Sequence, residues 1–209
     1  MKFSNINRIL ICMTDKRNHY HTILKKIDEG ILNHSQIVAA ITNNESTYNY
    51  LKNTVNVPVI YYKWDKKNDS REVYDINLAS KIKEFQPDTI VLTGWKHIFT
   101  TNFINQFHFV INIHPALPDS YIGLNCIKKA LDDYKENKIN ETGVMVHHII
   151  EELDRGEVID YIKIPIHQQD DLTILTERFR EYEKIPLINS LQTIEKKFLL
   201  GIDKQFTKL

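Results

Sequence analysis

The sequence predicts an α/β fold in which helices flank a mostly parallel sheet, and three observations support this prediction. Short apolar runs typical of buried strands recur along the chain. The segments between them space their apolar residues as helices do. The length of 209 residues is enough to bury a sizeable core and is most simply organised as one domain.

Four strands are predicted in the first half of the chain. They are the runs RILICM, QIVAAIT, VPVIYY and TIVLT, at residues 8–13, 36–42, 57–62 and 89–93. Helices are predicted between them, around residues 24–31, 46–52 and 73–85. Because parallel strands need long crossover connections, this alternation indicates parallel pairing. The polar segment 63–71 is interpreted as a solvated loop.

The second half begins with a fifth apolar run at residues 109–113, which Pro115 ends. A helix and two further strands are predicted next, at residues 126–137, 142–150 and 157–166. The two strands pair through the acidic turn that separates them. One long amphipathic helix then runs from residue 172 toward residue 198. Its apolar stripe, interpreted as a packing surface, contains Leu172, Leu175, Phe179 and Tyr182.

Composition excludes several classes of protein. Lys plus Arg and Asp plus Glu each number 27, so the surface has no large net field for nucleic acid or an anionic membrane. Cys12 and Cys126 both lie in apolar surroundings, which favours a reducing compartment and a core position for each. Asn5, Asn7 and Arg8 interrupt the apolar N-terminus, so neither export nor a membrane span is indicated and we expect a cytoplasmic protein.

The candidate catalytic residues are Asn112, His114 and Asp154. Asn112 and His114 lie two positions apart at the end of a predicted strand, so their side chains point to one face at the carboxyl edge of the sheet. An amide that donates N–H groups, an imidazole that titrates near neutrality and a carboxylate that sets its protonation form a plausible site for acyl transfer.

Each of these residue types also has a structural explanation. Asn at a strand end is often a turn former, and His before Pro is often a hydrogen-bonded loop residue. His147 lies on an apolar strand, where a supporting role is favoured over a chemical one, and His148 points to the other face. His19 and His21 lack the acidic or thiol partners of a metal site, so no metal is expected.

Several ordered blocks of this sequence resemble one known family. The blocks INIHPALPDSYIGLN, TGVMVH and EELDRGEVI, at residues 111–125, 142–147 and 151–159, are similar to the catalytic region of phosphoribosylglycinamide formyltransferases. The resemblance covers most of the chain from about Asp75 onward, including DTIVLTGWKHIF and ILTERFREYE. It implies a Rossmann-like three-layer formyltransferase fold with an antiparallel C-terminal strand, in which Asn112, His114 and Asp154 match the catalytic trio.

The resemblance also implies that 10-formyltetrahydrofolate is the formyl donor and that no metal is required. The family holds the pterin with the segments that match residues 94–99 and 150–154. The matching positions, together with a further histidine of the active-site region, are His97, Ile98, Phe99, His147, Ile150, Glu151 and Glu152. Ile98 and Phe99 are also candidates for the core, and for Ile98 both roles are possible.

The acceptor site is where this chain departs from the family pattern. The family's Gly-rich turn after the first strand is replaced by CMTDKRNHYH, which contains no glycine. Lys16, Arg17 and Asn18 can hold a phosphate by their side chains instead, or they can be solvated loop residues. Glu183 matches a family residue that contacts the ribonucleotide, and Arg180 lies one turn earlier.

Three functions follow from these expectations. The first is formyl transfer to glycinamide ribonucleotide in purine synthesis, with residues 1–110 as the substrate-binding half and residues 111–209 as the catalytic and folate-binding half. The second is formyl transfer to a nucleotide-linked amino sugar, and the third is a non-catalytic folate-binding relic. The expected partner is a small phosphorylated amine, with no nucleic acid or membrane, and the protein is expected to be a monomer or a homodimer.

Overall fold

The computed structural model describes residues 6–16 and 18–202, which form seven strands and seven helices. The strands are β1 (Asn7–Met13), β2 (Ser35–Thr42), β3 (Val59–Tyr61), β4 (Thr89–Thr93), β5 (Phe109–His114), β6 (Glu141–His148) and β7 (Val158–Pro165). The helices are α1 (His19–Asp28), α2 (Glu45–Thr54), α3 (Arg71–Lys83), α4 (Thr101–Ile104), α5 (Cys126–Lys135), α6 (Leu172–Tyr182) and α7 (Lys184–Leu199).

The strands are hydrogen-bonded in the order β3-β2-β1-β4-β5-β6-β7. Strand β1 pairs in parallel with β2 and β4, and β2 pairs in parallel with β3. Strands β6 and β7 are antiparallel, with Glu141 opposite Pro165 and His147 opposite Val158. The predicted fold class, a mostly parallel sheet with an antiparallel C-terminal strand, is confirmed.

The chain divides into two compact units. Of the described residues, the first unit contains 6–16, 18–111 and 191–202, and the second is Asn112–Ser190. In the first unit strand β1 is buried on both faces, since every residue from Ile9 to Met13 is fully buried. The predicted core position of Cys12 is confirmed, and its burial raises the pKa of the thiol. Within residues 6–16 and 18–202, no helix is long and apolar enough to cross a lipid bilayer.

Polar side chains fix the starts of several helices. Asn44 accepts a hydrogen bond from the Thr47 N–H at the start of α2, and Ser70 accepts one from Val73 at the start of α3. Thr100 caps the short helix α4, and Asp171 caps α6 in the same way. These caps satisfy backbone N–H groups that a helix leaves unpaired in its first turn.

Several predicted boundaries in the first half of the chain are wrong. Helix α1 begins at His19 rather than near residue 24, because its first turn is polar in sequence although His19 and Tyr20 are buried. Strand β3 is shorter than predicted, because Pro58 has no N–H to donate to a sheet. Helix α4 was not predicted, since its four residues are too few to show a helical period.

The single long C-terminal helix was also predicted wrongly, because the structure breaks it at Glu183 into α6 and α7. Pro186 explains the break: it has no N–H for the carbonyl of Tyr182, and its ring clashes with that carbonyl in a continuous helix. The predicted stripe is correct for Leu175 and Phe179, which are buried, but Leu172 is 43% exposed at the start of α6.

Candidate active site

Asn112 and His114 lie at the carboxyl end of strand β5, in the second unit. The two residues alternate with the buried Ile111 and Ile113, so both point to the same face of the strand. Asn112 is partly exposed, whereas His114 is 4% exposed. Pro115 follows, and residues 115–125 form a loop that leads into α5. The spacing of two therefore places the amide and the imidazole side by side, as predicted.

Asp154 lies in the loop between β6 and β7, within reach of this pair. Its backbone is left-handed, with φ of 54°, a conformation that is unfavourable for residues other than Gly and occurs often at functional sites. One carboxylate oxygen, Oδ2, accepts the Gly123 N–H at 2.8 Å. The other, Oδ1, lies 3.4 Å from Nδ1 of His114 and 3.8 Å from Nε2 of His147.

Both ring nitrogens of His114 face oxygen atoms. Nε2 donates to the Tyr121 carbonyl at 2.8 Å, while Nδ1 faces the Asp154 carboxylate. The side chains of His114 and Asp154 are 4% and 6% exposed, so this pair is largely shielded from water. Shielding strengthens the attraction between a carboxylate and an imidazolium, because the local dielectric constant is lower than that of water.

His147 completes the cluster from β6. Its Nδ1 donates to the His148 carbonyl at 2.9 Å, and its Nε2 lies 3.3 Å from Nδ2 of Asn112. Burial lowers the pKa of His147, although the bond to the His148 carbonyl and the Asp154 charge partly oppose this effect and His114 adds to it. The ring centroids of His114 and His147 are 6.2 Å apart and the rings are nearly perpendicular.

Three further residues of this cluster were missed by the sequence reasoning. Tyr121 and Gly123 contact the site through backbone atoms, which no side-chain pattern reveals. Cys126 is buried, as predicted, but its Sγ lies 3.7 Å from Nε2 of His114 and donates to the Gly123 carbonyl at 3.1 Å. The sequence signal for this part of the site is the glycine at position 123, because its φ of 77° is a backbone conformation that favours glycine.

Residues 7–191 of the chain match the family model described as formyl transferase. The chain belongs to the formyl transferase family. It is therefore an enzyme that transfers formyl groups, and the resemblance noted in the sequence is confirmed.

Individual relatives agree with this family assignment. The phosphoribosylglycinamide formyltransferase of Dictyostelium discoideum is 36% identical over 203 residues, which are 90% of this chain and 98% of that protein. The enzyme of the same name from Escherichia coli strain K12 is 37% identical over 125 residues, 58% of this chain and 57% of that protein. The solved phosphoribosylglycinamide formyltransferase of Coxiella burnetii is 25% identical with a TM-score of 0.79, and the match covers 91% of this chain and 88% of that one.

The first predicted folate-binding segment of this family member lies between β4 and α4, in the first unit. His97 contacts Asp75, with 2.5 Å between Nε2 and Oδ1, and its ring packs edge-on against Phe99. Phe99 is buried and stacks on Phe103, so its core role is confirmed. Ile98 is 44% exposed, so the interpretation of its side chain as core is wrong.

The second predicted folate-binding segment is the β6–β7 loop, in the second unit. Ile150 is partly exposed, and Glu151 and Glu152 are exposed. They lie outside the buried cluster that Asp154 forms with the two histidines. His147, which was predicted with these residues as a cofactor contact, is 1% exposed and lies in the cluster.

The predicted acceptor-binding residues belong to both units, with Lys16 and Asn18 in the first and Arg180 and Glu183 in the second. Lys16 is exposed, with Nζ 5.8 Å from the ring centroid of Tyr50, and Asn18 is exposed at the start of α1 without a side-chain cap. Arg17 lies outside the described residues. Arg180 is exposed beside a cavity of about 250 Å³ that is also lined by Leu172, Thr173, Thr176 and Glu177. Glu183 is 2% exposed and therefore buried, whereas Arg180 is open to solvent.

Among residues 6–16 and 18–202, no group of three or more His, Cys, Asp or Glu side chains is placed to hold a metal ion.

Proposed function

We propose that this enzyme transfers the formyl group of 10-formyltetrahydrofolate to the primary amine of glycinamide ribonucleotide. The observation that carries the proposal is a cluster in which Asp154 faces His114 at 3.4 Å and Asn112 lies 3.3 Å from His147. This cluster belongs to a chain that aligns with 98% of a phosphoribosylglycinamide formyltransferase. The three groups supply an amide donor, an imidazole and a carboxylate, which are the chemical types that acyl transfer to an amine requires.

The formyl donor would supply an electrophilic carbon and a nitrogen leaving group. In the transfer, the amine nitrogen of the acceptor bonds to the formyl carbon and the bond from that carbon to the folate nitrogen breaks. The acceptor nitrogen also loses a proton. Residues 94–99 and residues 150–154 are the segments proposed to hold the donor. Ile98 offers an apolar surface, and both segments have backbone groups outside the sheet. Trp95 Nε1 is a buried N–H with no hydrogen-bond partner among the described residues. Buried N–H groups in folded proteins are usually hydrogen-bonded, so this N–H is a candidate contact for the donor.

Asn112 is the proposed donor to the oxygen that gains negative charge. Its Nδ2 carries two N–H groups, of which one is directed at His147, so the second is available for the substrate oxygen. One such donor typically contributes about 3 kcal/mol of transition-state stabilisation. The partial exposure of Asn112, beside the buried histidines, is what a group that must reach a substrate requires.

His114 is the proposed second donor, acting as an imidazolium that Asp154 stabilises. Since Nδ1 faces the carboxylate, only Nε2 can serve the substrate, and in this structure the Tyr121 carbonyl accepts that N–H. The proposal therefore includes a small shift of the loop 119–125 that exchanges this carbonyl for the substrate oxygen. Asp154 also accepts the amine proton and passes it, through a water molecule, toward the departing nitrogen.

The acceptor is proposed to be held by its phosphate and its ribose. Lys16 is a cation at the carboxyl end of β1, where ligands of parallel sheets bind, and Arg17 and Asn18 follow it in the chain. Arg180 and Glu183 are the proposed ribonucleotide contacts on α6. In this assignment residues 1–110 are the substrate-binding half and residues 111–209 the catalytic half, and the enzyme acts in the cytoplasm as a monomer or homodimer.

The test is incubation of the enzyme with 10-formyltetrahydrofolate and candidate amines, with tetrahydrofolate release and formylated product followed by mass. Turnover with glycinamide ribonucleotide is expected, and turnover only with nucleotide-linked amino sugars would replace the acceptor. Asn112→Ala and His114→Ala are each expected to lower turnover by about two orders of magnitude with the fold intact. Donor binding without turnover of any amine would leave the folate-binding relic as the function.

A further inference from the structure

His147 has the geometry of a group that fixes the orientation of a neighbouring amide. Its two ring nitrogens have separate partners: Nδ1 lies 2.9 Å from the His148 carbonyl oxygen, and Nε2 lies 3.3 Å from Nδ2 of Asn112. A carbonyl oxygen only accepts hydrogen bonds, so Nδ1 must carry the proton. In a neutral imidazole Nε2 then has a free lone pair and can only accept.

The neutral form of His147 is favoured by its surroundings. The residue is 1% exposed, and its burial lowers the pKa by more than the His148 carbonyl and the Asp154 carboxylate, 3.8 Å from Nε2, raise it. A neutral ring with the proton on Nδ1 needs a donor opposite Nε2, and Asn112 meets this need only when its amide nitrogen faces the ring. The reversed amide would place its carbonyl oxygen against the Nε2 lone pair, which is repulsive.

We propose that His147 is a positioning residue that selects one of the two amide orientations of Asn112, so that an N–H of this amide is directed toward the substrate oxygen. The inference rests on the proposed role of Asn112, but the hydrogen bond itself does not depend on that role. His147 acts through Asn112 and does not contact the reacting atoms in this scheme.

Gly156 lies against the His148 carbonyl, which accepts the hydrogen bond from Nδ1 of His147. An ideal Cβ at Gly156 would lie 1.7 Å from the His148 carbonyl oxygen and 3.5 Å from Nδ1 of His147. Only a residue without a side chain therefore allows the acidic loop to approach the peptide that accepts the Nδ1 proton. The irregular register of β6 between Val146 and His147 lies at the same point. The glycine of the ELDRG segment thus supports the tautomer of His147.

The kinetic test compares His147→Gln, whose amide can place an acceptor near the position of Nε2, with His147→Met, which fills similar space without one. We expect His147→Met to lower kcat by about tenfold or more, which is the loss of one hydrogen bond, while KM for both substrates stays within about twofold. His147→Gln should retain most of kcat, and His167→Gln, on the exposed β7–α6 connection, is the control. Equal losses in the Gln and Met variants, or wild-type kcat in His147→Met, would overturn the proposal.

A second measurement does not depend on turnover. Imidazole ¹⁵N shifts of the labelled enzyme should show His147 neutral, with a proton on Nδ1 and a free Nε2, and the Nε2 signal should shift in Asn112→Ala. A proton on Nε2, or no response to Asn112→Ala, would refute the positioning role even for an active enzyme. If no amine is formylated, the proposed function fails while the ¹⁵N result still decides whether His147 orients Asn112.

Discussion

The backbone N–H of Gly123 donates to Oδ2 of Asp154 at 2.8 Å, and this bond leaves the other carboxylate oxygen to face the two histidines. Gly123 belongs to the loop before α5 and Asp154 to the loop after β6, so two segments that are distant in sequence share one carboxylate. The bond also gives Oδ2 of Asp154 a hydrogen-bond donor. This side chain is 6% exposed, and a buried carboxylate is costly unless it is hydrogen-bonded.

Removal of the charge on Asp154 should stop catalysis while the fold persists. In Asp154→Asn the amide oxygen can still accept the Gly123 N–H, but no negative charge faces His114. We expect kcat to fall by about a hundredfold. Asp132→Asn is the matched control, because that side chain is 51% exposed and pairs with Lys128 on the surface of α5. Thermal unfolding checks the fold, and a near-normal rate for Asp154→Asn would contradict its role.

Substitution of Gly156 should destabilise the protein more than substitution of Gly30. In Gly156→Ala the added Cβ would overlap the His148 carbonyl oxygen, so the loop must shift at a cost of about 3 kcal/mol. Gly30→Ala is the comparison, because nothing lies within 4 Å of its Cβ and only its φ of 70° is unfavourable, which costs about 1 kcal/mol. Urea unfolding of both variants measures the difference, and equal losses would disprove the close approach.

The carboxylate of Asp75 should control donor binding through the segment that follows β4. It contacts Nε2 of His97 and accepts the Thr100 N–H at 2.7 Å, so it holds both ends of the segment 97–100, in which Ile98 is exposed. In Asp75→Ala we expect faster amide hydrogen exchange at Thr100 and a KM for the formyl donor raised by about tenfold, the loss of one charged hydrogen bond. Unchanged donor KM together with faster exchange would show that this segment does not hold the donor.

The ion pair of Asp170 and Arg178 should stabilise the second unit in a pH-dependent way. The Asp170 side chain is fully buried, and its hydrogen bonds from Arg178 lower the pKa of the carboxyl group. A carboxyl group with a lowered folded-state pKa contributes its stabilisation fully above its unfolded value, about 4, and loses it as the pH falls through the folded value.

The measurement is the free energy of unfolding in urea from pH 7 to pH 3. Asp170→Asn should be less stable than the wild type by about 2 kcal/mol at pH 7, and the difference should shrink below about pH 4. Asp132→Asn, which breaks an exposed pair with Lys128, should change stability little at any pH. A difference that persists unchanged at pH 3 would exclude the proposed linkage.

The sequence by itself determined the fold class and the positions of Asn112 and His114. Short continuous apolar runs in the sequence identify strands such as β1 and β4, and the structure buries these strands. The strand period of two places Asn112 and His114 on one face, since successive side chains alternate. Pro186 could have predicted the break between α6 and α7, because the missing N–H of proline is a local property.

Tertiary structure alone decided how the site is assembled. The contacts of Tyr121 and Gly123 with His114 and Asp154 are made by backbone atoms, which are the same in every residue and leave no sequence pattern. The link from Gly156 through His147 to Asn112 depends on the pairing of β6 with β7 and on a shifted register. Such contacts join residues distant in the chain, and their existence depends on packing that no local periodicity records.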